Sequence, residues 1–71
     1  RKLHAFYEAN IGKEQVVLFE EAKHGDVMHG FTANYIKVEA PYRKELVNET
    51  RRVLLHDFNE DKTALTVNII E

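Results

Sequence analysis

The chain has 71 residues and no cysteine, so it is expected to form one domain stabilised by packed apolar side chains alone. A disulfide framework and a cysteine-ligated zinc or iron–sulfur site are both excluded within it. It has no apolar stretch near the roughly 20 residues of a membrane span, and no signal-peptide pattern at its start. We therefore expect a cytoplasmic domain without a membrane partner. Because the first residue is Arg1 rather than Met, we also expect a piece of a longer protein.

The formal net charge of −2 argues mildly against a nucleic-acid partner, because neutralised phosphates supply most of the non-specific affinity. The basic residues are nevertheless concentrated, since residues 35–52 carry five of them against three acidic ones. Acidic residues collect instead at 20–26 and 60–61. An RNA site here would therefore depend on local charge, ring stacking and hydrogen bonds.

Residues 1–10 are predicted to form a short helix, since Leu3, Phe6 and Tyr7 recur at helical spacing and Gly12 follows as a stop. A helix of this length is unstable alone, so it must pack on the strands that follow or on a preceding domain. Five strands are predicted after it from short β-branched and aromatic runs separated by turns. They span residues 15–20, 27–32, 35–40, 51–58 and 64–70.

The predicted connections between these strands are short and polar. Residues 23–26 form the first turn, and Ala33 and Asn34 join the second and third strands, with Asn34 suited to a left-handed backbone conformation. Pro41 ends the third strand because it cannot donate to a ladder. Residues 41–48 are predicted to be an ordered charged loop with one helical turn, and 59–62 to be the last turn. The pattern predicts an all-β barrel or sandwich, and closure would remove exposed strand edges.

The third predicted strand has an apolar face and a polar face, because apolar residues at 36, 38 and 40 alternate with the residues between them. Tyr35 and Lys37 are therefore expected to point outward together, next to Thr32 and Asn34 in the turn. This set offers a ring for base stacking, a cation for phosphate and an amide for a base edge, the mix that RNA-binding sheet faces use. The alternative is structural: Asn34 only shapes the turn, and Tyr35 only covers the barrel end.

A second basic set could extend a phosphate-binding surface, and it consists of Arg43, Lys44, Arg51 and Arg52. The alternative is a solvated face in which these cations pair with Glu45 and Glu49. Arg51, adjacent to Arg52 on a predicted strand, is expected to point to the opposite face, so that the two do not form one patch.

The sequence predicts neither a metal site nor a catalytic site in this chain. The histidines are dispersed over the helix, a turn and two strands, without the short spacings typical of zinc ligands: His4, His24, His29 and His56. There is no Ser-His-Asp spacing, no phosphate-binding glycine loop and no carboxylate pair in an apolar setting. The chain itself is therefore predicted not to be an enzyme and to need no cofactor.

Two segments resemble a known family. Residues 11–13 (Ile-Gly-Lys) followed by 16–21 (Val-Val-Leu-Phe-Glu-Glu) look like the first strand of a TRAM domain, and 30–38 (Gly-Phe-Thr-Ala-Asn-Tyr-Ile-Lys-Val) look like its central hairpin. In particular, the chain resembles the C-terminal TRAM domain of bacterial radical-SAM tRNA methylthiotransferases. Residues 3–8 are similar to the helix that joins the two domains there. The Asn-Tyr-Ile-Lys-Val motif resembles the branch acting on threonylcarbamoyladenosine.

The resemblance implies a five-stranded antiparallel OB-like barrel over residues 12–71, preceded by a linker helix at 1–11 from an upstream radical-SAM domain. The barrel would grip the anticodon region of tRNA without being catalytic itself. The upstream domain would carry iron–sulfur clusters and S-adenosylmethionine and insert the methylthio group. Carried over residue by residue, the RNA-facing set is Thr32, Asn34, Tyr35 and Lys37.

Two features depart from the family pattern. Asn48 stands where members often have a glycine before the fourth strand, although Asn also tolerates a left-handed conformation. The chain is also less basic than many TRAM domains. The rival hypothesis is a protein-docking barrel that packs on its catalytic domain or on a partner with little RNA contact, and the net charge and the apolar helix stripe favour it.

Overall fold

Alternation of side chains along each strand places one face of the strand in a shared core and the other face outside. The computed structural model describes the backbone of residues 2–70 and the side chains of residues 4–21 and 23–70. In chain order the elements are α1 (Lys2–Asn10), β1 (Glu14–His24), β2 (Val27–Thr32), β3 (Lys37–Pro41), a 3₁₀ turn (Lys44–Leu46), β4 (Thr50–Phe58) and β5 (Leu65–Ile69).

The strands close into a barrel in the order β1-β2-β3-β5-β4, and β4 pairs back onto β1. This confirms the predicted small all-β barrel of five strands and is consistent with an OB-like barrel. The expectation that the barrel is wholly antiparallel was wrong, because β3 and β5 run parallel, with Val38 opposite Leu65 and Glu39 opposite Thr66. The reason is topological: a closed ring with an odd number of strands must contain at least one parallel pair.

The strand boundaries follow the sequence prediction for β2 and depart from it in β1 and β3. Strand β1 continues to His24, so that only Gly25 and Asp26 form the turn to β2, and Gly25 has a positive φ of 64°. The β1–β2 register shifts between Phe19 and Lys23, which marks a bulge of the kind that bends a strand around a small barrel. Strand β3 begins at Lys37, which leaves Tyr35 in the connection.

The core is filled by large apolar side chains from all five strands and from the β2–β3 connection. Its largest fully buried members are Phe19, Met28, Ile36, Leu55, Leu65, Val17, Val38 and Val53. Gly30 faces this core where β1 and β2 approach closely. A Cβ there would lie 2.6 Å from both the Leu18 carbonyl oxygen and Val17 Cγ1, so only glycine fits.

Helix α1 packs on the barrel through Tyr7 and His4, whose ring meets Phe58 edge to face with centroids 5.4 Å apart. Tyr7 is buried, its ring stacks on Phe58 with centroids 6.5 Å apart, and its hydroxyl accepts a hydrogen bond of 3.1 Å from the Lys37 backbone N–H. Phe6, on the same helix, is exposed in this chain. Leu3 lies outside the described side chains. Assigning residues 1–11 to the connection with a preceding domain stays a prediction.

The connection from β3 to β4 is ordered, as predicted. Its helical turn is the 3₁₀ turn, which buries Leu46, and Asn48 adopts the left-handed conformation with φ of 58°. Among residues 2–70, no helix is both long enough and apolar enough to cross a membrane.

Candidate nucleic-acid interface

The connection between β2 and β3 is a tight turn held by hydrogen bonds to Thr32. The Tyr35 N–H donates to the Thr32 carbonyl oxygen at 3.0 Å, and the Thr32 N–H donates to the Ile36 carbonyl oxygen at 3.0 Å. Three residues, 33–35, form the loop, a length that commonly places its last residue in the left-handed conformation. That residue is Tyr35, with φ of 68°, so the expectation that Asn34 takes this role was wrong.

Thr32 and Asn34 build this turn from within. Thr32 is only 4% exposed, and its hydroxyl accepts a hydrogen bond of 3.0 Å from the buried Ile36 N–H while donating to Asn34 Oδ1. The structure thus places both predicted site residues in the turn. The Thr32 hydroxyl is engaged within the turn, so it stabilises the turn and is not free to bind a ligand. The tyrosine next to them is 83% exposed.

An open apolar groove of about 630 Å³ lies beside the turn, on the outer face of β1 and β2. Leu18 and Phe31 are directly opposite each other on the two strands, and both side chains are exposed. The groove is lined by Val16, Leu18, Glu20, Phe31, Thr32, Ala33, Tyr35 and Thr50. Two aromatic rings and two aliphatic side chains therefore form a contiguous apolar surface outside the core, a feature that marks interaction sites in soluble domains.

A second, more polar groove of about 420 Å³ continues from the first across β4. The two grooves share Val16 and Thr50, and the second is also lined by Arg51 and Arg52. The two arginines differ in exposure, as neighbours on a strand should, yet both border this groove.

The arginines of the second groove are engaged in exposed ion pairs. Arg51 Nη1 lies 3.1 Å from Glu49 Oε1, and Arg52 Nε lies 3.8 Å from Glu14 Oε1. Pairs this exposed contribute about 0–1 kcal/mol to stability. Arg51 Nη1 also donates a hydrogen bond of 2.9 Å to the Thr50 carbonyl oxygen.

The remaining predicted cations divide between two ends of β3. Lys37 is half-buried at the start of the strand and is paired with Phe31 of the groove lining, without lining the groove itself. Arg43 and Lys44 follow the far end of β3, away from the turn that carries Tyr35. Arg43 Nη2 pairs with Glu45 Oε2 at 3.3 Å. The pKa of the Glu45 carboxyl is lowered, first by a hydrogen bond from its own backbone N–H and then by Arg43.

The sequence prediction missed Val16, Leu18 and Phe31 as surface residues. The signal was present in Val16-Val17-Leu18-Phe19, which is apolar at every position rather than at alternate ones. A barrel strand has only one face in the core, so a continuous apolar run must expose every second side chain. Val17 and Phe19 are the buried pair, and Val16 and Leu18 are the exposed pair.

The outer face of β2 and β3 next to this site is polar. His29 Nε2 lies 3.4 Å from Glu39 Oε2, and Glu39 Oε1 accepts a hydrogen bond of 3.2 Å from Asn59 Nδ2. The His24 and His29 rings meet edge to face, with centroids 5.2 Å apart. Within the described part of the chain, no group of three or more histidine or carboxylate side chains is placed to hold a metal ion.

No protein-family model, no curated protein and no solved structure matches this chain. The likeness to TRAM domains therefore stays a prediction that depends on the motifs at 11–21 and 30–38.

Proposed function

We propose that this barrel is an RNA-binding module, and that its ligand is the anticodon region of a tRNA. The observation that carries the proposal is the Tyr35 ring, which is almost fully exposed at the edge of an apolar groove. Lys37 is paired with Phe31 of the groove lining, and Arg52 lines the second groove, which shares Val16 and Thr50 with the first. Aromatic rings for base stacking next to cations for phosphate are the combination that RNA-binding surfaces use.

The backbone at Tyr35 strengthens this argument. A left-handed conformation costs a residue with a Cβ about 1–2 kcal/mol relative to the right-handed one, and glycine avoids that cost. Tyr35 contributes little burial to offset it. Strain at an exposed aromatic side chain is typical of functional positions rather than of positions chosen for stability.

The larger protein that we propose is a radical-SAM tRNA methylthiotransferase of the branch acting on threonylcarbamoyladenosine. The support is the resemblance of residues 11–21 and 30–38 to TRAM domains of that class. In this proposal the barrel is non-catalytic and cytoplasmic, and it holds the tRNA for an upstream domain in the same chain. The chain has no cysteine to ligate an iron–sulfur cluster, so the clusters and S-adenosylmethionine would belong to that upstream domain.

Titration of the isotope-labelled domain with anticodon stem-loop RNA, followed by NMR, tests the proposal. We expect shifts at Tyr35, Phe31 and Lys37 and around Arg52. If about three phosphates are neutralised, log K should fall with log salt with a slope of about −2. The absence of any shift at low salt would overturn the proposal. Shifts confined to Arg43 and Lys44 would move the site to the other end of β3.

The apolar groove itself favours a second candidate, a protein-docking barrel. Val16 and Leu18 offer contact area but no hydrogen bonds, and protein interfaces have apolar centres of this kind. In this alternative the groove packs on the catalytic domain or a partner protein, and RNA contact is slight. Two results together would favour docking. The isolated domain would bind no RNA, and the Leu18 and Phe31 amides would exchange more slowly in the full-length protein than in the isolated domain.

A further inference from the structure

We infer that the apolar groove seats unpaired bases of a single-stranded RNA segment that crosses β2, β1 and β4, and that it discriminates poorly among the four bases. This inference rests on the proposed RNA-binding function and makes its ligand more specific. It predicts that the domain binds loop nucleotides and not the stem beside them.

The chemistry of the groove lining is the first argument. Five of its eight lining residues are apolar, and the polar three are Glu20, Thr50 and Thr32, whose hydroxyl is already engaged with Asn34 and the Ile36 N–H. Base edges are read by hydrogen bonds, whereas base faces are held by stacking and apolar contact, which every base offers. A groove with so few polar groups is therefore suited to base faces. A duplex hides those faces in its stack and presents phosphates and groove edges instead.

The direction of the groove is the second argument. Pairing across the sheet aligns Lys37 with Phe31, Phe31 with Leu18, and Leu18 with Thr50. This row crosses four strands, and three strand spacings of about 4.8 Å give it a length of roughly 14 Å. A row of this length accommodates a short run of unpaired bases whose faces lie against the apolar side chains.

The charges at the ends of the row are the third argument. Lys37 lies at the β3 end, and Arg52 lies with Arg51 beside Thr50 at the β4 end. Arg51 pairs with Glu49 and donates to the Thr50 carbonyl oxygen, and Arg52 pairs with Glu14. Exposed ion pairs of this kind contribute little to stability, so a phosphate can compete with the carboxylates. A strand lying along the row would thus have its bases on the apolar centre and its backbone near a cation at each end.

The test is fluorescence anisotropy of the intact 71-residue chain with labelled RNA ten-mers at low salt. The probes are oligo-adenosine, oligo-uridine and a ten-base-pair duplex. We expect the two single strands to bind within about fivefold of each other and about tenfold or more tighter than the duplex. Leu18→Ala and Phe31→Ala should each weaken single-strand binding by about fivefold or more.

Phe6→Ala is the matched control, because Phe6 is an exposed apolar ring on α1 outside the groove. It should leave binding of every probe unchanged. If a strand variant fails to fold by circular dichroism, Tyr35→Ala replaces it, since Tyr35 lies in a loop and is nearly fully exposed. Loss of single-strand binding in that variant would support the inference, and unchanged binding would count against it.

Two results would overturn the inference in different ways. The duplex could bind as tightly as the single strands, with affinities that Leu18→Ala does not change. That result would reject the inference that the groove seats bases, but it would agree with the proposed RNA-binding function. No binding of any RNA, including the anticodon stem-loop, would remove both and favour the protein-docking barrel.

Discussion

Two turns at the same end of the barrel share one hydrogen-bonding pattern but differ in the side chains that they expose. The β2–β3 turn begins at Thr32, and the β4–β5 turn begins at Asn59; because β3 and β5 are parallel neighbours, both turns lie side by side. In each, the first side chain accepts a hydrogen bond from a backbone N–H four residues later. Each also carries a non-glycine residue with positive φ, Tyr35 or Lys62.

The difference lies in where the polar groups and the strained residue point. Asn59 is 8% exposed and makes four hydrogen bonds, with partners on Thr63, Ala64 and Glu39. The Lys62 carbonyl oxygen lies 3.2 Å from His4 Nε2, so the β4–β5 turn is tied to α1 as well. The β2–β3 turn has a smaller network and presents an exposed ring. The comparison shows that the positive-φ position of such a turn does not require a tyrosine, because Lys62 occupies it in the β4–β5 turn.

The largest expected effect is the loss of the Asn59 side chain. Asn59→Ala removes four hydrogen bonds and leaves the buried Ala64 N–H without its partner, so the free energy of unfolding should fall by about 2–4 kcal/mol. Thr32→Val removes one acceptor, the partner of the Ile36 N–H, and should cost about 1–2 kcal/mol. Urea unfolding followed by circular dichroism measures both.

Asn68→Ala is the matched control for the Asn59 change, because Asn68 is exposed on β5. It should change the free energy of unfolding by about 0.5 kcal/mol or less. If Thr32→Val proves the more costly change, then the network of the β2–β3 turn is the stronger one and the comparison above is reversed.

The next effect separates folding from binding at the two strained residues. Tyr35→Gly and Lys62→Gly should each raise the free energy of unfolding by up to about 1 kcal/mol, since relief of the left-handed strain exceeds the entropy that glycine adds to the unfolded chain. Only Tyr35→Gly should weaken RNA binding, by about 1–3 kcal/mol for a lost base stack.

Thermal unfolding and anisotropy with the anticodon stem-loop measure this pair. Equal RNA affinity in the two glycine variants would mean that Tyr35 is only a turn residue. A loss of stability in Tyr35→Gly would mean that its ring packs against the groove strongly enough to offset the strain.

The smallest expected effect is a pH dependence of the free energy of unfolding that arises from Asp61 in the β4–β5 turn. The Thr63 hydroxyl donates to Asp61 Oδ1 at 2.7 Å, and this hydrogen bond lowers the pKa of the Asp61 carboxyl below its ordinary value. Because the folded-state pKa is depressed, the contribution is present above about pH 4 and is lost as the pH falls through the folded-state pKa. Asp61→Asn should therefore be slightly less stable than the parent at neutral pH. The difference should vanish in acid, as unfolding curves between pH 2 and 7 would show; a constant difference would exclude this linkage.

The alternation of side chains allowed the sequence to predict most of the fold. In β4, Val53 and Leu55 face the core as predicted, and β2 has the predicted bounds. The parallel β3–β5 pair was missed because periodicity carries no strand direction. It follows only from counting five strands in a closed ring.

The candidate site was predictable in part. The outward direction of Lys37 follows from period-two alternation, but the conformation of Tyr35 does not, since residue preference favours Asn34 for a left-handed position. The loop has three residues instead of two, since the Thr32 N–H donates to the Ile36 carbonyl oxygen, and the alternation of residue types does not report that pairing. The groove combines residues from β1, β2 and β4, and no local pattern reports which strands become neighbours.

The parallel β3–β5 contact also has a consequence for how the barrel opens. Among the described residues it joins two residue pairs, whereas β1 and β4 join five, so few contacts offset the cost of closing its loop. We expect it to form last in folding and to open first in the native state. Hydrogen exchange should then be faster at the Thr66 amide than at the Leu18 amide. Opening of this kind would separate the β2–β3 turn from the β4–β5 turn. A ligand bound at Tyr35 would then remain on β1 and β2 while the β3–β5 edge opens.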